Sequence, residues 1–155
     1  DGSLFVGEAG ELFKRFNTLD GHGLKLIAEE GITPIVITGR DSKALRTRLK
    51  ELGVTHAHFG VSDKLEVAQT ALAQLKLNWQ QVAVMGDDWP DLPLMVHAQV
   101  AAAPANAHAQ VLAQAHFVTQ AQGGHGAARE LCDLLLIAHG AYVRLLDQLL
   151  DGGKP

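Results

Sequence analysis

Three carboxylates stand close together directly after a short apolar run in the middle of the chain. Residues 82–85 are all apolar and Gly86 follows them, a pattern typical of a buried strand that ends at the glycine. Asp87, Asp88 and Asp91 come next, and in open α/β sheets ligands bind at the carboxyl ends of the strands. Clustered carboxylate oxygens suit a hard cation such as Mg²⁺. The alternative is that Asp88 and Asp91 only complement the dipole at the start of a helix.

Two further polar residues follow other predicted strands at positions suited to phosphate chemistry. Residues 33–38 are rich in β-branched side chains and predict a buried parallel strand that ends at Thr38 and Gly39. The Thr38 hydroxyl and the amides of the following turn are placed to bind an anion, although a Thr-Gly turn serves other loops of this kind too. Lys64 begins a predicted helix, where a cation opposes the helix dipole. This unfavourable position indicates either a functional lysine or a solvated one.

Glycines and histidines elsewhere carry weaker signals. Residues 20–23 and 123–126 each contain glycines, which allow the backbone to approach a ligand closely. An ordinary helix start capped by Asp20 and an ordinary turn are the simpler interpretations of these two segments. His56 and His58 alternate along a predicted strand, but two histidines without a third ligand more often pack or face solvent than bind a metal.

Strands alternate with helices along the chain, and this order must position the polar residues. It predicts a doubly wound α/β fold with a mostly parallel sheet, preceded by an N-terminal β-hairpin and without a large cap domain. In such a fold Thr38, Lys64 and Asp87 follow three different strands and converge at one edge of the sheet. The predicted strands are 4–6 and 12–16 in the hairpin, then 33–38, 54–59, 82–85, 99–102 and 116–119. The predicted helices are 24–30, 42–52, 64–76, 92–97, 104–114 and 127–137, with further helix to 150.

Length and composition exclude several classes of protein. The 155 residues carry a formal net charge of -4, so nucleic acid is not expected as a partner. No apolar stretch is long and uninterrupted enough to cross a membrane. Cys132 is the only cysteine, which rules out an internal disulfide and favours a reducing, cytoplasmic setting. We expect one domain over residues 1–150, a flexible tail at 151–155, and a subunit contact on the apolar C-terminal region.

Taken in order, these marks resemble the haloacid dehalogenase superfamily of phosphohydrolases, and within it the small 3-deoxy-D-manno-octulosonate 8-phosphate phosphatase group. The resemblance covers essentially the whole chain. The superfamily marks are Thr38-Gly39-Arg40 at a strand end, Lys64 before a helix, and Gly86-Asp87-Asp88 with Asp91. The marks of the closer group are Asp1-Gly2 with Gly7 and Gly10, Phe16-Asn17 through Asp20-Gly21-His22-Gly23, and Gly123-Gly124-His125-Gly126-Ala127-Ala128-Arg129-Glu130.

The resemblance implies roles for individual residues. Asp87 would ligate Mg²⁺, while Asp88 and Asp91 would hold the neighbouring polar network. Thr38 would bind the transferring phosphoryl group, and Lys64 would neutralise that group and pair with the nucleophilic carboxylate. The implied sugar-acid phosphate site consists of Asn17, Thr18, Leu19, Asp20, Gly21, Lys25, Arg40, Arg48 and Lys64. Lys25 stands where the resemblance leads us to expect arginine, and it keeps the charge without the bidentate fork.

The nucleophile is the main departure from the family pattern. In this family it is the first Asp of an Asp-x-Asp pair that closes an N-terminal strand, and the second Asp acts as acid and base. That strand is expected a few residues before Asp1, which itself matches a later aspartate of the family. We therefore expect the natural protein to have residues before Asp1, because losing the strand would expose the edges of its neighbours. The alternative is a catalytically inactive member of the family.

The resemblance implies hydrolysis of 3-deoxy-D-manno-octulosonate 8-phosphate through an aspartyl-phosphate, in lipopolysaccharide precursor synthesis, by a full-length chain. A chain beginning at Asp1 would not turn over. One alternative is a phosphatase for another acidic sugar phosphate, such as a nonulosonate 9-phosphate. Another is a non-catalytic α/β module that binds an anion. The resemblance also implies a homotetramer in which the hairpin and the C-terminal tail reach a neighbour's site.

Overall fold

The computed structural model describes residues 2–8 and 10–152, which form seven strands and seven α-helices. The strands are β1 (Phe5–Gly7), β2 (Gly10–Phe13), β3 (Ile35–Ile37), β4 (His56–His58), β5 (Ala83–Met85), β6 (Val100–Ala103) and β7 (Phe117–Val118). The helices are α1 (Thr18–Glu29), α2 (Lys43–Leu52), α3 (Lys64–Leu75), α4 (Leu92–Met95), α5 (Ala109–Gln114), α6 (Ala127–Ala138) and α7 (Tyr142–Leu150). Of the predicted tail, residues 151 and 152 form a turn, and residues 153–155 lie outside the described residues, as does Asp1.

Parallel strands make up most of the sheet structure, and an antiparallel hairpin precedes them. β3 pairs with β4 in parallel, and β5 pairs with β6, which pairs with β7, also in parallel. The hairpin β1–β2 is antiparallel. The predicted α/β class and N-terminal hairpin are therefore confirmed. Within residues 2–8 and 10–152, however, the parallel strands form two sheets rather than one, because no ladder joins β3 to β5.

Helix α1 begins at Thr18, six residues before the predicted start at Leu24. Asn17 caps it, since the side-chain oxygen of Asn17 accepts a hydrogen bond from the amide of Leu19 at 2.8 Å. Sequence reasoning placed the start too late because Gly21 and Gly23 each carry a helix penalty of about 1 kcal/mol relative to alanine. Tertiary packing outweighs that penalty, because both glycines are buried against neighbouring helices.

The glycine at 23 sets how closely α1 approaches α6. A β-carbon at this position would lie 3.0 Å from Cβ of Cys132 and 3.0 Å from Cδ of Arg129. Gly23→Ala should destabilise the protein, because Cys132 Cβ is fixed to its helix and the overpacking cost of roughly 1–3 kcal/mol exceeds the gain in helix propensity of about 1 kcal/mol. Urea unfolding would measure this, and His22→Ala on the exposed side of α1 is the control. A more stable Gly23→Ala protein would contradict the close packing.

Two predicted helical regions differ from the structure in their limits or continuity. α5 begins at Ala109 rather than at Pro104 because His108 caps it, with Nδ1 accepting a hydrogen bond from the Gln110 amide at 3.2 Å. The predicted C-terminal helical region is divided into α6 and α7 at Gly140, whose φ of 76° lies in the left-handed region that favours glycine.

Two groups of buried apolar side chains hold the helices in place. One lies between α1, α6 and the start of α7 and includes Leu26, Ile27, Cys132, Leu136 and Ala141. The other lies around β6 and consists of Met95, Ala101, Ala103 and Val111. Among the described residues, no helix is both long enough and apolar enough to cross a membrane.

Cys132 is buried in the first of these groups, and burial raises the pKa of its thiol to about 12. The thiol therefore stays protonated in the folded protein at pH 8, and the thiolate is the reactive form. We expect an aromatic disulfide reagent to react with Cys132 only as fast as the protein opens, and to react rapidly in urea. Because an unfolded thiol ionises near pH 8.5, stability should fall as pH rises from about 8.5 towards 12. Rapid labelling of the folded protein would contradict the burial.

Candidate active site

The carboxylate segment after β5 forms a compact, internally hydrogen-bonded turn. Asp91 is 8% exposed, and its Oδ2 accepts hydrogen bonds from the amides of Asp87 at 3.0 Å and Asp88 at 3.3 Å. The carboxylate of Asp88 in turn caps the short 3-10 helix at Trp89, with a hydrogen bond of 2.8 Å. A β-carbon at Gly86 would lie 2.3 Å from Cβ of Asp91, so only glycine fits there. Asp91 thus organises the turn rather than facing solvent.

Lys64 joins this turn to the segment that follows β4. Its Nζ lies 2.6 Å from Oδ1 of Asp91, and the two side chains are 17% and 11% exposed. Lys64 is the first residue of α3, where Asp63 is the N-cap. The ion pair offsets the unfavourable position of a cation at a helix N-terminus, and it brings a positive charge to the carboxyl end of β5.

Of the three carboxylates in this turn, that of Asp87 makes the fewest hydrogen bonds with the described residues. Burial raises its pKa, and the charge of Asp91 raises it further, while Lys64 lowers it. Within the described residues its carboxylate oxygens accept no hydrogen bond. A solvent-accessible carboxylate whose ionised form is disfavoured by its surroundings fits one ligand of a hard cation. No group of three or more His, Cys, Asp or Glu side chains in residues 2–8 and 10–152 could hold a metal alone.

Thr38 is connected to the same region through the backbone. Its amide donates to the carbonyl of His58, and its carbonyl accepts from the amide of Val61 at 3.0 Å, three residues before Lys64. The Thr38 hydroxyl oxygen accepts a hydrogen bond from the amide of Arg40 at 3.2 Å. Because that contact uses a lone pair, the hydroxyl hydrogen can donate to an anion. Side-chain contacts therefore join Lys64, Asp87, Asp88 and Asp91, whereas Thr38 joins them through the β4–α3 loop.

The predicted substrate residues around α1 lie in a second group. Asn17 caps α1, and the carboxylate of Asp20 accepts from the amide of Arg129 at 2.9 Å, at the start of α6. A β-carbon at Gly21 would lie 2.5 Å from Nη2 of Arg48, so the Arg48 side chain crosses α1 at the glycine. Several predicted binding residues therefore make contacts that stabilise the fold. Thr18, Leu19 and Lys25 also belong to α1, and Leu19 and Lys25 are exposed.

A cavity of about 330 Å³ lies between the hairpin and the end of β3. Three basic side chains line it, Lys14, Arg15 and Arg40, together with residues 2–5. Sequence reasoning identified Arg40 but missed Lys14 and Arg15. No local pattern marks two adjacent basic residues at the end of a strand as a site, and only the hairpin's return towards β3 makes them part of a cavity.

Comparisons with known proteins identify the family of this chain. A family model of haloacid dehalogenase-like hydrolases matches residues 57–131, a range that contains Lys64 and all three carboxylates. The 3-deoxy-D-manno-octulosonate 8-phosphate phosphatase KdsC of Yersinia pestis is 44% identical over 138 residues, which are 89% of this chain and 74% of that protein.

Solved structures show the same similarity. The 3-deoxy-D-manno-octulosonate 8-phosphate phosphatase structure from Yersinia pestis has a TM-score of 0.88 and 42% identity, covering 91% of this chain and 76% of that one. The phosphatase structure of the same description from Moraxella catarrhalis, in complex with a magnesium ion, a phosphate ion and KDO, has a TM-score of 0.91 and 32% identity, covering 96% and 85%. The chain belongs to the haloacid dehalogenase superfamily of phosphomonoester hydrolases, in the 3-deoxy-D-manno-octulosonate 8-phosphate phosphatase group.

Proposed function

We propose that the natural full-length protein is a Mg²⁺-dependent phosphatase that hydrolyses 3-deoxy-D-manno-octulosonate 8-phosphate to the free sugar acid and phosphate. The observation that carries the proposal is the ion pair between Lys64 and Asp91 at 2.6 Å. It holds a cation near Asp87 at the ends of β4 and β5, where a phosphoryl group needs charge neutralisation. The Moraxella catarrhalis relative, described with magnesium, phosphate and KDO, supports the choice of metal and substrate.

The chain's own residues have separate tasks in this proposal. Asp87 is a ligand of Mg²⁺, while Asp91 and Asp88 fix the turn that presents it. The Thr38 hydroxyl donates to an oxygen of the transferring phosphoryl group, and the Lys64 ammonium neutralises that group. When bound, Mg²⁺ would stabilise negative charge on the phosphoryl oxygens. These roles supply positioning and electrostatic stabilisation, which account for most of the catalysis in phosphoryl transfer.

The proposed nucleophile is the first Asp of an Asp-x-Asp pair on a strand before residue 1 of the natural protein. Its carboxylate oxygen attacks phosphorus as the bond from phosphorus to the ester oxygen breaks. The second Asp gives a proton to the leaving oxygen, and then takes one from the water that hydrolyses the aspartyl-phosphate. The unpaired edges of β3 and β5, within the part of the chain that the structure describes, support a strand between them.

The substrate's acidic sugar is proposed to bind the basic side chains near α1 and α2. Arg40 lines the cavity at the end of β3, and Arg48 lies against Gly21. Residues 17–21, Lys25 and Lys64 complete the proposed substrate site within one domain over residues 1–150. Lys25 can contribute charge but not the bidentate geometry of arginine.

We also propose a cytoplasmic homotetramer that acts in lipopolysaccharide precursor synthesis. Exposed apolar side chains support the assembly, because they lie on the hairpin and on α7. Val6 and Leu12 are 63% and 65% exposed, and Val143 and Leu150 are 66% and 75% exposed. Such patches usually mark contacts between proteins. Light scattering at micromolar concentration should give the mass of four chains, and the mass of one chain would contradict the assembly.

The test of function compares two phosphate esters with and without Mg²⁺. We expect the full-length protein to hydrolyse 3-deoxy-D-manno-octulosonate 8-phosphate faster than a nonulosonate 9-phosphate, and to lose activity when a chelator is added. Preference for the nine-carbon ester would keep the enzyme class and change the substrate. Phosphate binding without Mg²⁺-dependent hydrolysis of either ester would contradict the proposal and favour a non-catalytic anion-binding module.

A further inference from the structure

His108 binds the turn that follows β5 at two points. Its amide donates a hydrogen bond to the carbonyl oxygen of Asp87 at 2.9 Å. Its imidazole Nδ1 accepts a second hydrogen bond, from the indole Nε1 of Trp89 at 3.0 Å. His108 lies in the loop between β6 and α5, and β6 pairs with β5. The loop of the neighbouring strand therefore holds residues 87–89 at both ends.

The contacts of Nδ1 define the form and orientation of the His108 ring. Nδ1 also accepts a hydrogen bond from the amide of Gln110 at 3.2 Å, which caps α5. An indole N–H and a backbone amide can only donate. Nδ1 must therefore present its lone pair to both donors, and the proton of the neutral ring lies on Nε2. The start of α5 thus fixes the acceptor that Trp89 uses.

Trp89 depends on this hydrogen bond for its orientation. Its side chain is 60% exposed, so packing restrains the indole little. The Trp89 and His108 rings meet edge to face, with centroids 5.4 Å apart. Because Trp89 lies two residues beyond Asp87, the bond to His108 keeps the segment between them against the β6–α5 loop.

Both backbone groups of Asp87 are consequently held. Its amide donates to Oδ2 of Asp91 at 3.0 Å, and its carbonyl accepts from His108. The loop that carries His108 is itself anchored, because the side-chain oxygen of Asn106 accepts a hydrogen bond from the amide of Gly123 at 2.8 Å. Since the Asp87 carboxylate accepts no hydrogen bond from the described residues, its direction depends on the backbone that carries it.

We propose that His108, held by Trp89, is a positioning residue that presents the Asp87 carboxylate to Mg²⁺. The inference rests on the proposed function, because it takes Asp87 as a metal ligand. A ligand that is already oriented loses less conformational freedom on binding, and residues behind a metal ligand commonly tune the affinity for the metal. His108 touches neither the cation nor the substrate in this proposal. Its effect should therefore fall on Mg²⁺ affinity and not on kcat at saturating Mg²⁺.

Calorimetric titration of the full-length protein with Mg²⁺ tests the proposal without turnover. Trp89→Phe removes the indole donor but leaves an aromatic ring and the cap of α5. We expect it to raise the Kd for Mg²⁺ about three- to tenfold, the range of one neutral hydrogen bond. His108→Ala should raise the Kd at least as much, and His108→Asn should restore most of the affinity because its amide oxygen lies near the position of Nδ1. Combining Trp89→Phe with His108→Ala should add nothing to His108→Ala alone, since both remove the same contact.

Trp79→Phe is the matched control. Trp79 lies before β5, and its ring also contacts a histidine, His97, with centroids 5.4 Å apart. Its indole makes no hydrogen bond with the described residues, so Trp79→Phe should leave the Kd for Mg²⁺ unchanged.

Unfolding in metal-free buffer separates positioning from a purely structural role. A less stable Trp89→Phe protein with an unchanged Kd for Mg²⁺ would reject the positioning role. The same conclusion would follow if the unsubstituted protein bound no Mg²⁺, or if His108→Asn bound Mg²⁺ as weakly as His108→Ala. The expected pattern of Mg²⁺ binding without hydrolysis of any phosphate ester would reject the proposed phosphatase and keep the positioning role.

Discussion

Replacing Asp87 with asparagine is expected to lower kcat/KM for phosphate-ester hydrolysis by the full-length protein by roughly 10²- to 10³-fold. The amide keeps the shape of the side chain but removes the charge proposed to ligate Mg²⁺. The same substitution should abolish the rise in unfolding temperature that Mg²⁺ gives the unsubstituted protein. That stabilisation is about 2.7 kcal/mol when Mg²⁺ is present at 100 times its Kd, so differential scanning calorimetry would detect its loss without any turnover.

In metal-free buffer at pH 7, Asp87→Asn should raise the unfolding temperature relative to the unsubstituted protein. Burial and the Asp91 charge raise the pKa of Asp87 above its usual value, so the ionised form costs the folded state free energy. A raised carboxyl pKa means that stability is lost as pH rises through the range between the unfolded and folded pKa values. Asparagine removes this cost, and Asp87→Asn should therefore unfold at a higher temperature than the unsubstituted protein when no metal is present.

Asp147→Asn is the matched control, because Asp147 is exposed on α7 and the substitution makes the same chemical change. It should leave both the activity and the Mg²⁺-dependent shift as they are. If Asp87→Asn retained the shift, Asp87 would not be a metal ligand. If it lowered the unfolding temperature in metal-free buffer, Asp87 would have a stabilising partner in the folded protein that its surroundings do not suggest.

Local sequence determines where the parallel strands end, and for this reason the residues at the centre of the candidate site could be proposed from the sequence. Apolar runs closed by a glycine place Thr38 and Asp87 at strand ends, and a cation at the first position of α3 draws attention to Lys64. Each of these features can be recognised from a few neighbouring residues in the sequence. The pattern of alternating strands and helices then brings the ends together.

Features that depend on distant contacts could not be predicted in the same way. The early start of α1 depends on Gly23 fitting against Cys132, more than 100 residues away along the chain. The contact of Arg15 with His125 joins the hairpin to the loop before α6. Asp91 was expected to belong to the polar network, but its ion pair with Lys64 and its two amide hydrogen bonds appear only when two separate loops meet. In each case tertiary packing decides what local propensity leaves open.

Lys64→Met is expected to destabilise the protein by roughly 3–5 kcal/mol, because it leaves Asp91 as an unpaired charge in a nearly buried position. The two side chains are only 17% and 11% exposed, so water can do little to replace the lost ammonium. Hydrolysis should also be lost, since the proposed transition state would lack its lysine. Urea unfolding in metal-free buffer separates the effect on stability from the effect on catalysis.

A double-mutant cycle identifies the cause of the destabilisation. Asp91→Asn alone keeps an oxygen for the two backbone amides but leaves Lys64 unpaired, and Lys64→Met with Asp91→Asn removes both charges. The double variant should therefore be more stable than the sum of the single changes predicts, with a coupling of about 1–3 kcal/mol. Asp41→Asn provides the contrast, because Asp41 pairs with Arg46 at 2.7 Å where both side chains are at least half exposed, and it should cost less than about 1 kcal/mol. Strict additivity of the two substitutions would mean that the ion pair between Lys64 and Asp91 contributes no free energy. The pair would then not explain why a lysine occupies the first position of α3.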